Sequence, residues 1–193
     1  MSKSVIVIVV ILLIGGMFGC SSYNGLVQKD ETVNEAWARV QSQYQRRADL
    51  IPNLVNTVKG AADFERGTLT DVIEARAKAT SIQLNADQLT PENMQKFQAA
   101  QEQLGGALSR LLVAVERYPD LKANQNFLEL QAQLEGTENR IAVARNDFNT
   151  TVKDYNQSVR TFPNAIFASI FGFNVKGFFE ASQAAQNAPT VQF

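Results

Sequence analysis

The sequence predicts an all-α protein, an antiparallel four-helix bundle with long helices, preceded by an N-terminal membrane-anchoring segment. Two observations lead there. After residue 20, apolar residues recur at steps of 3, 4 or 7 along nearly the whole chain, which places them on single helical faces. Ahead of them, Val5 to Phe18 (VIVIVVILLIGGMF) is uncharged and almost wholly apolar. No segment shows the period-2 alternation of a half-buried strand. The chain has 193 residues, 45% hydrophobic and 19% charged, which is enough apolar material for one core. The spacing divides it into a signal or anchor segment at 1–20, a helical body at 21–182 and a flexible polar tail at 183–193.

The anchor comes first. Lys3 and the terminal amine precede the apolar run, and the next basic residue after it is Lys29. This bias puts the amino terminus inside and everything from Ser21 onward on the extracytoplasmic side. Continued through Cys20, the run is short for a span: a helix from Val5 to Cys20 reaches roughly 24 Å, against the ~30 Å of a hydrocarbon core. Met17-Phe18-Gly19-Cys20-Ser21-Ser22 resembles a bacterial lipobox in its Gly-Cys pair, while Met17 and Phe18 depart from it. Two readings stay open: lipidation at Cys20 after cleavage, or an uncleaved transmembrane anchor in which Cys20 is a free thiol.

Leu26, Val33, Trp37, Val40, Tyr44, Ile51, Leu54 and Val58 predict a first helix over 24–61. Pro52 lies inside it, removing a backbone donor and crowding the carbonyl four residues back, so a kink or break is expected at 48–51. Leu69, Val72, Ile73, Ala79 and Ile82 predict a second helix over 64–83, with Thr68 and Asp71 as a capping pair. Thr90-Pro91-Glu92 is a strong start signal, and the third helix runs from there to Tyr118 on Met94, Phe97, Leu104, Leu108, Leu111 and Val115. Gly105-Gly106 in its middle predicts either a loosened turn or a close neighbouring backbone. Tyr118-Pro119-Asp120 is a turn. Phe127, Leu130, Leu134, Ile141, Phe148, Val152, Tyr155, Val159 and Phe162 then predict a fourth, longest helix over 122–161.

Beyond Pro163 the pattern changes. Phe167, Phe171, Phe173, Phe178 and Phe179 crowd together with Ile166, Ile170, Gly172 and Gly177. They predict either a short helix and hook folded over the open end of the bundle, or an exposed aromatic surface for a partner or the bilayer.

Composition excludes most familiar chemistry. There is no histidine and only one cysteine, so His-based triads, Cys-His pairs, zinc clusters, intramolecular disulfides and the Glu-x-x-His di-iron motif are all impossible. With 18 basic and 19 acidic residues, no net field favours nucleic acid. The residues predict no enzyme, no cofactor and no small-molecule substrate.

The quoted segments also carry a resemblance. Tyr23-Asn24-Gly25-Leu26-Val27, Trp37 to Val40, Arg46-Arg47-Ala48-Asp49-Leu50-Ile51-Pro52-Asn53, Glu74-Ala75-Arg76, Phe127-Leu128-Glu129-Leu130, Glu138-Asn139-Arg140-Ile141, Arg145, Tyr155-Asn156, Phe162-Pro163-Asn164 and Phe171-Gly172-Phe173 are similar to the LemA family of bacterial membrane-associated helical proteins. The resemblance implies a four-helix antiparallel bundle behind one membrane segment and no established activity. Within it, Arg46, Arg47, Asp49 and Asn53 flank Pro52, so an arginine and Asn53 are expected to satisfy the carbonyls it opens. Glu74 with Arg76, and Glu138 with Arg140 and Arg145, are expected to form inter-helix ion pairs that fix register. Two functions follow from the sequence: a membrane-tethered scaffold engaging itself or an envelope protein partner, or an envelope module holding lipid or peptide on its C-terminal aromatics.

Overall fold

The computed structural model describes residues 3–60 and 65–180, with the backbone alone at 3–11 and Ile14. The tail expected at 183–193 and most side chains of the apolar run lie outside the described residues. The described chain is helical without strands: α1 (Lys3–Lys59), α2 (Arg66–Ser81), α3 (Pro91–Val115), a single turn α4 (Pro119–Lys122), α5 (Gln125–Arg160) and α6 (Asn164–Phe171). Among these residues no helix is long and apolar enough to cross a membrane.

The helices form where the periodicity put them because each stripe finds a partner. α1 packs along α5 and α2 along α3. Both pairs run antiparallel: Lys29 reaches the Asp154 carbonyl while Arg47 meets Glu138, and Asp71 meets Arg110 while Glu65 meets Arg117. One apolar cluster joins Ile51, Leu54 and Val58 of α1 to α2, to Leu104–Val115 of α3 and to Phe127 and Leu134 of α5. A second joins Leu26, Val33, Trp37 and Val40 of α1 to Met94 and Phe97 of α3 and to Ile141, Phe148, Val152 and Tyr155 of α5. Each large side chain sealed in these clusters stabilises by ~1.5–3 kcal/mol.

Several boundaries differ from expectation. The first helix does not begin at 24. It is the later part of α1, whose 57 residues run without interruption from Lys3 through Cys20 and through Pro52. The second helix starts at Arg66, with Glu65 at its cap and no side-chain cap bond; Thr68 instead donates to Glu65 at 3.3 Å. Thr90 does cap α3, accepting from the Asn93 amide. Gly105 has no neighbour where a Cβ would stand, so the glycine pair accommodates no close backbone. Ile73 and Phe162, placed on apolar stripes by spacing, are 52% and 76% exposed. Phe162 falls outside because α5 ends at Arg160.

Candidate functional site

Three polar constructions occupy the helical body, and each ties elements far apart in sequence. The first surrounds Pro52. Proline lacks the amide that would reach the Ala48 carbonyl, and Arg76 Nε of α2 donates to that carbonyl at 2.8 Å. An arginine satisfies the opened carbonyl, as the sequence implied, but from another helix. Arg46 and Asn53 are exposed, and Asp49 accepts from Gln45 on its own helix. Arg76 is therefore committed to backbone, and no Glu74–Arg76 ion pair forms among the described residues.

The second centres on Arg47, which is 3% exposed. Its guanidinium donates to Glu138 Oε1 of α5 at 2.8 Å and to the Gln101 side chain of α3, and it lies 5.0 Å from the Tyr44 ring. Gln101 in turn donates to the Ala79 carbonyl of α2. One cation thus links all four long helices, and a buried charge tolerates this only because its partners are fixed. Glu138 pairs with Arg47 rather than with the two arginines expected. Arg140 reaches Gln43 and Thr137, and Arg145 reaches the Glu180 carbonyl and stacks over Phe179 at 4.6 Å. Those two residues follow Glu138 on the same helix, whereas Arg47 faces it across the α1–α5 seam.

The third is the C-terminal segment, residues 173–180, which runs extended after α6. Gly172 ends α6 with left-handed backbone (φ 79°), a conformation glycine adopts without strain. Three amide side chains then hold the extended backbone in the same two-handed way. Asn156 accepts from the Lys176 amide and donates to its carbonyl, both at 2.8 Å. Asn149 does the same for Phe179 at 2.9 and 2.8 Å, and Gln98 for Glu180 at 2.9 Å each. The Gly177 amide donates to the Leu89 carbonyl at 2.7 Å. A Cβ at Gly177 would stand 2.8 Å from Pro91 Cα, so only glycine fits.

Two side chains anchor the segment. The Phe179 ring, 5% exposed, sits in a cage of Trp37, Tyr44, Phe97 and Phe148 with centroids 5.6–6.5 Å away. Lys176 Nζ forms an ion pair with Asp30 at 2.7 Å and lies 5.3 Å from the Tyr155 ring centre. Burial, and secondarily the Asp30 carboxylate, raises the Tyr155 phenol well above its usual pKa. Burial also raises Tyr44, opposed by Arg145 and Arg47.

The aromatic surface expected at the C-terminus therefore splits. Phe179 is core and Phe173 and Phe167 are partly covered, while Phe171 and Phe178 remain 48% and 42% exposed. Phe167 rests on α1 at Gly19, where a Cβ would meet its ring at 3.2 Å, and Tyr23 packs edge-on against Phe171 and Phe173. Cys20 is exposed one residue further along α1.

The clamping side chains Gln98 and Asn149 escaped sequence reasoning because polar residues on helix surfaces carry no periodic signal, and the anchor Lys176 because it lies in an extended segment outside any helix. Tyr155-Asn156 stood in the family pattern without a role. Among the described residues, no group of three or more His, Cys, Asp or Glu could hold a metal ion.

Fold and site together define an all-helical protein whose C-terminal segment is inlaid across its long helices. The chain belongs to the LemA family, whose profile matches residues 36–193. It is 24% identical to Protein LemA of Metamycoplasma hominis over 83% of this chain and 69% of that protein. It is 25% identical to Magnetosome protein MamQ 2 of Paramagnetospirillum magneticum and to Magnetosome protein MamQ of Magnetospirillum gryphiswaldense, in each case over 84% of this chain and 66% of the relative. The chain thus spans about two thirds of the length of these relatives.

Proposed function

We propose that this chain is a non-catalytic scaffold of the bacterial envelope: an antiparallel four-helix bundle held on the extracytoplasmic face of a membrane by the head of α1, where it engages itself or a protein partner. The observation that carries this reading is the continuity of α1, whose backbone is helical from Lys3 to Lys59. The apolar run Val5–Phe18 and the core stripe from Leu26 belong to the same rigid element, so the body is coupled to its anchor without a linker. Arg47, Arg76, Gln98, Asn149 and Asn156 are engaged by backbone or by other side chains, which suits a scaffold better than a reaction site.

The uncleaved anchor is the better of the two readings of Cys20. Phe167 of α6 is seated on Gly19, and cleavage before Cys20 would remove that contact. Intact mass of the protein extracted from membranes tests this. Full length with an unmodified thiol is expected; loss of the first 19 residues with acyl chains on Cys20 would overturn the uncleaved anchor. Release of the full chain by alkaline wash would overturn the tether itself.

A lipid-contacting role for the C-terminal aromatics also has a specific observation behind it. α6 is uncharged, it stands level with residues 19–23 of α1, and Phe162, Ile166, Ile170 and Phe171 on and beside it are 48–76% exposed. An uncharged apolar collar at the foot of a membrane helix is suited to the bilayer interface. Ile166→Asp with Ile170→Asp is expected to abolish protection of α6 from hydrogen exchange when the protein enters phosphatidylethanolamine–phosphatidylglycerol vesicles. Equal protection with and without vesicles in the native sequence would exclude this role.

A further inference from the structure

The groove that holds residues 173–180 has the attributes of a peptide site. Its three amide clamps grip backbone atoms alone, so they would grip any extended chain in that register. Selectivity comes from three positions: an acidic socket for a lysine at Asp30, a contact with Pro91 that admits only glycine at the next position, and an aromatic cage for a phenylalanine two residues on. The groove is wider than its occupant. A cleft of about 550 Å³ opens along one flank beside Gln95, Ala99 and Glu102, and another of about 420 Å³ along the other beside Asp87 and Thr90.

We propose that this groove is a peptide-binding site for an extended Lys-Gly-x-Phe segment, filled in cis by residues 173–180 and, between tethered molecules, in trans by the same residues of a second copy. The second copy is the occupant that the structure specifies, because its segment already matches every anchor. The segment follows α6 directly, after Gly172. Gly172 to Val175 reach at most ~14 Å when extended, which requires the α6 ends of the two chains to lie side by side. Chains anchored in one membrane present α6 at one level, and a two-fold axis along the membrane normal then closes the exchange as a dimer rather than a filament. Tethering raises the local concentration that favours the trans arrangement. The proposal supplies the self-engagement in the scaffold reading and rests on that reading only for the tether.

The test uses the full chain in detergent micelles and the protein's single tryptophan, Trp37, which forms a wall of the cage. Gly177→Val expels the segment while leaving every groove residue in place, and Phe179→Ala empties the cage independently. A synthetic acetyl-Asn-Val-Lys-Gly-Phe-Phe-Glu-amide peptide is expected to shift Trp37 emission saturably in both variants. Alanine in place of its lysine or of its second phenylalanine should weaken binding about tenfold or more. No saturable change in a variant that keeps native helicity overturns the site. For the second-copy occupant, Gly177→Val chains are mixed with chains carrying Asn149→Leu and Asn156→Leu, whose grooves are disabled and whose segments are intact. Native mass spectrometry is expected to find a one-to-one heterodimer only in the mixture; monomers alone overturn exchange. Membrane retention of the native chain is measured separately, so failure of the groove and failure of the tether are distinguishable.

Discussion

Arg76→Met removes the side-chain donor that reaches the Ala48 carbonyl, the acceptor left without its helical partner by Pro52. A hydrogen bond from a charged donor contributes ~1.5–3 kcal/mol. Arg76 is only half-buried, which puts the expected loss at the lower end, about 1.5 kcal/mol. For a body of this size that lowers the melting temperature by about 3–6 °C. The informative measurement is the double-mutant cycle by urea denaturation of the full chain. Pro52→Ala restores a backbone amide four residues beyond Ala48, so the carbonyl no longer needs the arginine. In the Pro52→Ala chain, Arg76→Met is expected to cost less than about 0.5 kcal/mol, giving a coupling of about 1 kcal/mol. Equal costs in the two backgrounds, within that same ~0.5 kcal/mol, would show that Arg76 stabilises through packing or surface charge and that the carbonyl is satisfied in some other way.

Two further outcomes follow from the polar contacts. Arg47→Ala is expected to destabilise by about 3 kcal/mol or more, since it strips the link among four helices. Glu138→Gln should cost only about 1 kcal/mol, because Glu138 is 47% exposed and the amide still accepts from the guanidinium; equilibrium unfolding of the two variants checks the order, and a larger loss at Glu138 would contradict it. Tyr155 and Tyr44 have folded-state pKa values raised above their unfolded values. Their contribution is fully present below about pH 10 and falls as pH rises beyond it, since the unfolded phenols ionise first, by at most ~1.4 kcal/mol per pH unit for each tyrosine. Absorbance titration at alkaline pH should show two of the four tyrosines ionising late, with Tyr155→Phe removing one of them; four tyrosines titrating together near pH 10 would refute the burial assignment.

The long helices were legible because a 3.6-residue period survives any tertiary arrangement that buries one face. Every apolar residue of the first stripe from Leu26 to Val58 is buried. Legibility fails at the ends: Phe162 keeps the spacing of α5 but lies past its last turn, and periodicity does not say where a helix stops. It fails again for pairings. Pro52 announced an orphan carbonyl, yet the donor lies 28 residues away on α2, and the partner of Glu138 lies 91 residues away on α1. The sequence implied an ion pair between helices at Glu138, and one forms, but its partner is Arg47 rather than Arg140 or Arg145. The C-terminal segment was least legible. The sequence left open a hook over the end of the bundle or an exposed patch, and the structure contains parts of both, because Phe179 enters a cage assembled from three helices while Phe171 and Phe178 stay outside. Asn149, Asn156 and Gln98 read as ordinary polar surface until an extended backbone is laid across them.

The unbroken course of α1 also sets a height. From Cys20 to Lys59 the helix measures about 60 Å along its axis at ~1.5 Å per residue, and no linker interrupts it. With its apolar head in a bilayer, the far turn at Lys59 would stand at a fixed elevation. Anything gripped there would be kept at a set distance from the lipid, so adding or deleting whole turns between Cys20 and Lys59 would move that plane by ~5.4 Å per turn.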